Sequence, residues 1–195
     1  MKTNKRLVLV VVFMLGTLFN YANNGSEINS KSVNAKKVRV EFKDAKKGHL
    51  LIIKDEQGVQ LHSETVSKVG DLNKTFDLSS LVDGKYTIEL NKDFKIIVKT
   101  INVKNNRVFF NNNDNKVIVK PLISNNENVL KISKINSIKE PLKVVVYYNN
   151  EIIYTETIED SIVLNRVYKL NKDIKGDYTA IVYSNNRSYS KNFKI

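Results

Sequence analysis

Tyr86 and Tyr178 stand 92 residues apart, and much of the chain from Leu50 to Ile195 keeps that same offset without a gap. Leu50 pairs with Leu142, Glu64–Thr65 with Glu156–Thr157, Leu72–Asn73 with Leu164–Asn165, and Phe76 with Tyr168. Leu78 pairs with Leu170, Gly84 with Gly176, Thr87 with Thr179, and Lys99 with Lys191. A fixed register of this length means two copies of one unit, so any fold proposed for one half must serve the other.

Each copy reads as a series of strands. "HLLIIKD" and "LKVVVYY" are short runs rich in β-branched residues. Each ends in a turn at the matching place, Gln57–Gly58 in the first copy and Asn149–Asn150 in the second. Gly58, Asn149 and Asn150 suit tight hairpins because Gly and Asn tolerate positive φ. In "KYTIEL" the residues Tyr86, Ile88 and Leu90 take one face, and Thr87 and Glu89 the other. Helical periodicity is confined to the N-terminal apolar run. The expected fold is all-β: two tandem antiparallel immunoglobulin-like β-sandwiches after an N-terminal signal peptide. The expected boundaries are 1–22 for the signal, 23–36 for a flexible segment, 37–110 for the first sandwich, 111–115 for a linker and 116–195 for the second. "KVIVKPLI", 116–123, is expected to open the second sandwich, with Pro121 at an edge or bulge.

The signal reading comes from Lys2, Lys5 and Arg6, followed by the uncharged run Leu7–Leu18 and small residues up to Ala22. That run is short for a membrane-spanning helix. The sequence predicts export to the periplasm or the extracellular space, with no transmembrane span after cleavage. Cysteine is absent, so disulfides, thiolate metal sites and cysteine catalysis are excluded. The formal charge is +12, and residues 1–22 hold three of the positive charges and no acid, leaving +9. The lysines are scattered among asparagines without a basic block, so no specific nucleic-acid partner is expected.

Catalysis finds little support. His62 aligns with Tyr154, so its position does not demand an imidazole, and His49 is expected at an exposed strand start. "NNNDN", 111–115, offers one acid and no central glycine, unlike a calcium loop. No cofactor, metal site or catalytic residue is expected. Glu64 and Glu156 recur and read as a solvated sheet face. Gly84, Tyr86, Gly176 and Tyr178 read as structural corners, in which the tyrosine hydroxyl donates to backbone a few residues upstream beside an apolar Val82 or Ile174. The other reading of these tyrosines is a ligand-stacking platform. Lys99 and Lys191 share the parity of inward apolar residues and read as lysines guarding an edge strand, or as a contact for secretion machinery.

The order "IIKDEQGVQLHSETV … FDLSSLVDGKYTIEL … KTINV" resembles the C-terminal sorting domains of Bacteroidetes type IX secretion cargo. It is equally similar to small secreted Bacteroidetes proteins with tandem immunoglobulin-like units. The resemblance covers roughly 38–103 and, more loosely, 116–195. It implies either a sorting-type module or a free-standing secreted sandwich protein; the sorting domains end a large effector, whereas here both units are sandwich copies. The expected function is a non-catalytic binding or interaction module of the cell envelope, with a protein or glycan partner. The alternatives are a sorting-type module engaging secretion machinery and, further off, an enzyme or anionic-polymer binder.

Overall fold

The computed structural model describes residues 37–136, 139–159 and 162–195. The signal at 1–22 and the segment 23–36 lie outside the described residues. Alternating apolar positions fold into seven strands in the first half: β1 (Lys37–Ala45), β2 (Leu50–Asp55), β3 (Gln60–Thr65), β4 (Gly70–Asp77), β5 (Gly84–Asn91), β6 (Lys95–Lys104) and β7 (Arg107–Val119). The second half has β8 (Leu122–Asn126), β9 (Val129–Ile135), β10 (Leu142–Tyr148), β11 (Glu151–Ile158), β12 (Val163–Lys169), β13 (Asp177–Ser184) and β14 (Arg187–Lys194). No described helix is long and apolar enough to cross a membrane.

The strand order is β1-β4 against β3-β2-β5-β6-β7 in the first half, and β12-β9-β8 against β11-β10-β13-β14 in the second. All pairings are antiparallel. The 92-residue offset carries β1–β6 onto β9–β14. The chain passes between the sheets after the first, third and fourth strands of each repeat, which is an immunoglobulin-like Greek key. The expected fold class is the observed one. Each pair of sheets closes on its own core. Val40, Phe42, Leu51, Ile88, Leu90 and Ile101 fill the first. Leu130, Ile132, Leu142, Val144, Leu164 and Val182 fill the second.

Three hairpins turn on consecutive asparagines with positive φ at both: Asn105–Asn106, Asn149–Asn150 and Asn185–Asn186. This is the geometry that matches strand twist, and asparagine reaches it at low cost. Gly58, at φ +84°, serves the β2–β3 turn. The same element pair also carries a bulge in both copies. Ile53 pairs with His62 and Lys54 with Gln60, leaving Leu61 extra. Val146 pairs with Tyr154 and Tyr147 with Ile152, leaving Ile153 extra.

The expected linker is a correction. Residues 111–115 lie inside β7, not between domains. Lys116–Val119 pairs with Lys95–Val98 of β6, so "KVIV" completes the first sandwich and only Leu122–Asn126 opens the second. Apolar pairing decides this, because Ile118 joins Ile96 and Val98 in a buried cluster. The asparagines form a bulge opposite Lys99. Asn115 Oδ1 accepts from the Thr100 amide at 2.9 Å, and Asp114 holds Lys85 at 2.6 Å. The true junction is Lys120–Pro121. Both sandwiches belong to one compact body.

Candidate functional site

The corner tyrosines stand at the start of β5 and β13. The Tyr86 hydroxyl donates to the Val82 carbonyl at 2.9 Å, and Tyr178 repeats the bond to Ile174 at 2.9 Å. Both rings are buried in their cores. The apolar side chains expected to anchor them do not: Val82 is 75% exposed and Ile174 45%, so only their carbonyls take part. Leu81 packs on the first core instead. In the second copy Tyr178 lies between Tyr148, 5.0 Å away, and Phe193, 5.6 Å away. The two glycines differ as well. A Cβ on Gly84 would meet the Tyr86 ring at an ordinary 3.6 Å, whereas on Gly176 it would lie 2.7 Å from Cε2 of Tyr148, with φ at +154°. Only Gly176 is demanded by space.

Three other expectations change. His49 is buried, not exposed; its Nδ1 accepts from the Lys46 amide at 3.0 Å, and Nε2 lies 3.6 Å from Asp93. Lys99 is not on an edge strand, because β7 covers β6; its ammonium sits 5.5 Å over the Phe42 ring. Lys191 is exposed on β14, which is an edge. Repetition of the lysine therefore does not mean a shared contact. Glu64 and Glu156 do not face open solvent. Glu64 holds Lys74 at 2.9 Å, and Glu156 holds Arg166 Nε at 2.8 Å. Lys74 and Arg166 are also 92 apart, so one inter-sheet ion pair recurs, tying the third strand of each repeat to the fourth. His62 lies edge-on to Phe76 at 5.8 Å, as Tyr154 lies against Tyr168 at 5.2 Å. Lys134 occupies Phe42's position in the second copy. Burial lowers its pKa, and it donates to Ser184 and to Asn185.

Between β11 and β12, the edges of the two sheets of the second sandwich, lies a cleft of about 560 Å³. Val146 and Tyr178 form its floor. Ile153 and Tyr154 wall it from β11, and Val167 and Tyr168 from β12. Ile153 is the extra bulge residue, so a bulge places an apolar side chain at the mouth. The rings are set by Glu156, which accepts from the Tyr168 hydroxyl at 2.7 Å as well as from Arg166. Burial pushes the Glu156 carboxyl up, but the bonds from Arg166 and Tyr168 outweigh it and leave it below its usual range. Burial and the same carboxylate hold Tyr168 protonated well above the usual tyrosine value.

The sequence holds a signal for this cleft, in its tyrosines. Of nine in the chain, seven lie in residues 122–195 and only Tyr86 in residues 37–119. Tyr148, Tyr154 and Tyr168 replace Glu56, His62 and Phe76 of the first copy. A larger groove of about 690 Å³, which includes Lys116, Lys143 and Arg187, is lined mainly by charged and polar side chains. It lacks the apolar wall that ligand sites combine with a few polar groups. Among the described residues no group of three or more His, Asp or Glu side chains could hold a metal.

No family model matches the chain. No curated protein matches it either. A solved structure described as the human OSCAR ligand-binding domain aligns over 84% of this chain and 92% of that one, at 8% identity and a TM-score of 0.24. At that score the likeness carries no argument, and the fold rests on the strand pairing.

Proposed function

We propose that the chain is an exported, non-catalytic binding protein whose recognition site is the cleft between β11 and β12. The observation that carries the reading is the divergence of the two copies at this edge of the sandwich. The repeat keeps the corner, the bulge and the inter-sheet ion pair in both units, yet only the second gathers three further tyrosines at the mouth of its core. Rings pre-set by Glu156 and Arg166 need little ordering when a ligand arrives. Exposed apolar side chains at the mouth, with Val167 at 66% and Ile153 at 48%, add contact area that folding alone does not use. The charged and apolar segments of residues 1–18 support export. The envelope-associated protein is expected to have the mass of a chain lacking residues 1–22; an intact Met1 on the exported form would refute that half of the proposal. A sorting-type role would draw on Lys99 and Lys191 as one contact, and their different surroundings favour the binding reading.

The site is tested with a neutral apolar dye, N-phenylnaphthylamine, whose emission rises on leaving water. The full chain is expected to bind one dye per molecule. Val167→Glu, an exposed position, puts a charge at the mouth and should weaken binding at least ~10-fold, because a carboxylate resists desolvation. Leu61→Glu, at the matching bulge of the first copy, should change nothing. Dye binding that is absent, or equal in parent and Val167→Glu, overturns the site.

A further inference from the structure

The cleft's own chemistry narrows its ligand, and this step rests on the site proposed above. Four tyrosines line it, and every hydroxyl is already engaged within the protein. Tyr178 donates to the Ile174 carbonyl, Tyr148 to the Lys175 carbonyl at 3.1 Å, and Tyr168 and Tyr154 to Glu156. The rings therefore offer faces and edges, and hydroxyls only as acceptors. A sugar, which must exchange many hydrogen bonds with water for bonds to protein, finds few partners here. An apolar chain needs none.

Apart from Lys169 and Asn171, whose Oδ1 already accepts from the Asp173 amide, the remaining walls are aliphatic: Val146, Ile153, Val167, Leu170 and Ile174. Ile153 and Val167 stand on the two facing edge strands, Val146 lies on inner β10, and Leu170 and Ile174 come from the loop after β12, so the space is a slot rather than a flat platform. A bulge at Ile153 interrupts β11, which disfavours a peptide adding as a further strand. Among the lining residues the one charged side chain is Lys169. The loop that follows it holds Lys172 and Lys175 against the single acid Asp173, all exposed. The other acids of these elements are Glu151, exposed at the start of β11, and Glu156, neutralised by Arg166.

We propose that the cleft takes the aliphatic chain of an anionic single-chain amphiphile of the fatty-acid class, with its carboxylate at Lys169 on the rim. Chain burial supplies the attraction, and the rim selects the sign of the head group.

The test uses the full chain carrying the neutral dye, titrated with laurate and, separately, with dodecyltrimethylammonium, both below the concentration at which they form micelles. The tails match and only the head charge differs. Laurate is expected to displace the dye at a concentration roughly tenfold lower, since the swap turns one attraction into a repulsion of similar size. Lys169→Glu should reverse that order, each amphiphile's potency being read relative to the variant's own dye affinity. Dye that binds in a manner sensitive to Val167→Glu but resists both amphiphiles overturns the ligand class and leaves the site standing. Equal potency of the two head groups, or an order that Lys169→Glu does not alter, also overturns it. Displacement by a neutral oligosaccharide or an apolar peptide, but not by laurate, would assign the cleft to that class instead. Absence of dye binding to the parent protein overturns the site itself.

Discussion

Tyr86→Ala is expected to cost the first sandwich about 3–5 kcal/mol, because the deleted ring leaves a cavity between sheets that cannot collapse around it. The ring is 5% exposed and packs with Ile88, Leu90 and Ile101 in the first core. Tyr86→Phe keeps that packing and removes only the bond to the Val82 carbonyl. Val82 is itself exposed, so its carbonyl can turn to water, and the loss should stay near 0.5–1.5 kcal/mol. Tyr178→Ala should behave likewise in the second sandwich, with Tyr148 and Phe193 losing a ring neighbour. Denaturant unfolding followed by circular dichroism checks this. Curves for Tyr86→Phe and Tyr86→Ala that both overlay the parent would remove the corner role.

The strands and turns that repeat with the offset were legible; the surroundings of individual residues, repeated or not, were less so. Strand order, hairpin positions and the paired faces of β5 follow from alternation and from Asn or Gly at positive φ. The repeat lets a strand assignment in one half be checked against the other, though not the surroundings of each residue. β7 was hidden because its middle is asparagine, and asparagine reads as loop. Ile118 on one side and Phe110 on the other pair it to β6 regardless, with the asparagines absorbed as a bulge. His49 and Lys99 were misplaced for a related reason. Local pattern does not say whether a later strand will pair along an edge, as β7 does with β6, or whether a distant turn will lie against a strand start, as Asp93 does near His49. The cleft depends on departures from the repeat, namely Tyr148, Tyr154 and Tyr168; the last two are visible in the aligned pairs, but alignment does not say that the three rings line one cleft. The Glu64–Lys74 and Glu156–Arg166 pairs were within reach, since both partners recur, but their charges span two sheets and sheet partners are not written in spacing.

Arg187→Ala is expected to be among the most damaging single changes outside the cores, at about 3 kcal/mol, the low end for a broken buried pair, because it leaves a buried carboxylate with Lys54 as its remaining cationic partner. Glu89 is 3% exposed on the face of β5 that carries Val98 and Thr100 on neighbouring β6. Arg187, 98 residues later on β14, reaches it with both terminal nitrogens, at 2.6 and 3.1 Å, and Lys54 adds a third contact at 3.2 Å. The pair joins one sandwich to the other, so the change should also separate their unfolding into two transitions. Burial raises the Glu89 carboxyl, but the Arg187 bond and charge, with Lys54, outweigh it and hold the pKa below its ordinary value. A carboxyl depressed in the folded state contributes stability that is full above its unfolded value, near 4.3, and is lost as pH falls through the folded one. The loss belongs to the Glu89 carboxyl. The double variant Glu89→Met, Arg187→Met removes both charges at once. It should fall within a few kcal/mol of the parent at neutral pH, on either side, since desolvation of the ions offsets much of their attraction. It should also lose less stability than the parent between pH 5 and pH 2. Denaturant midpoints at pH 7 and pH 3 for parent, Arg187→Ala and the double variant decide the matter. A single variant within about 1 kcal/mol of the parent would place this pair with ordinary surface bridges, and equal acid sensitivity in parent and double variant would assign the low-pH loss to other carboxylates.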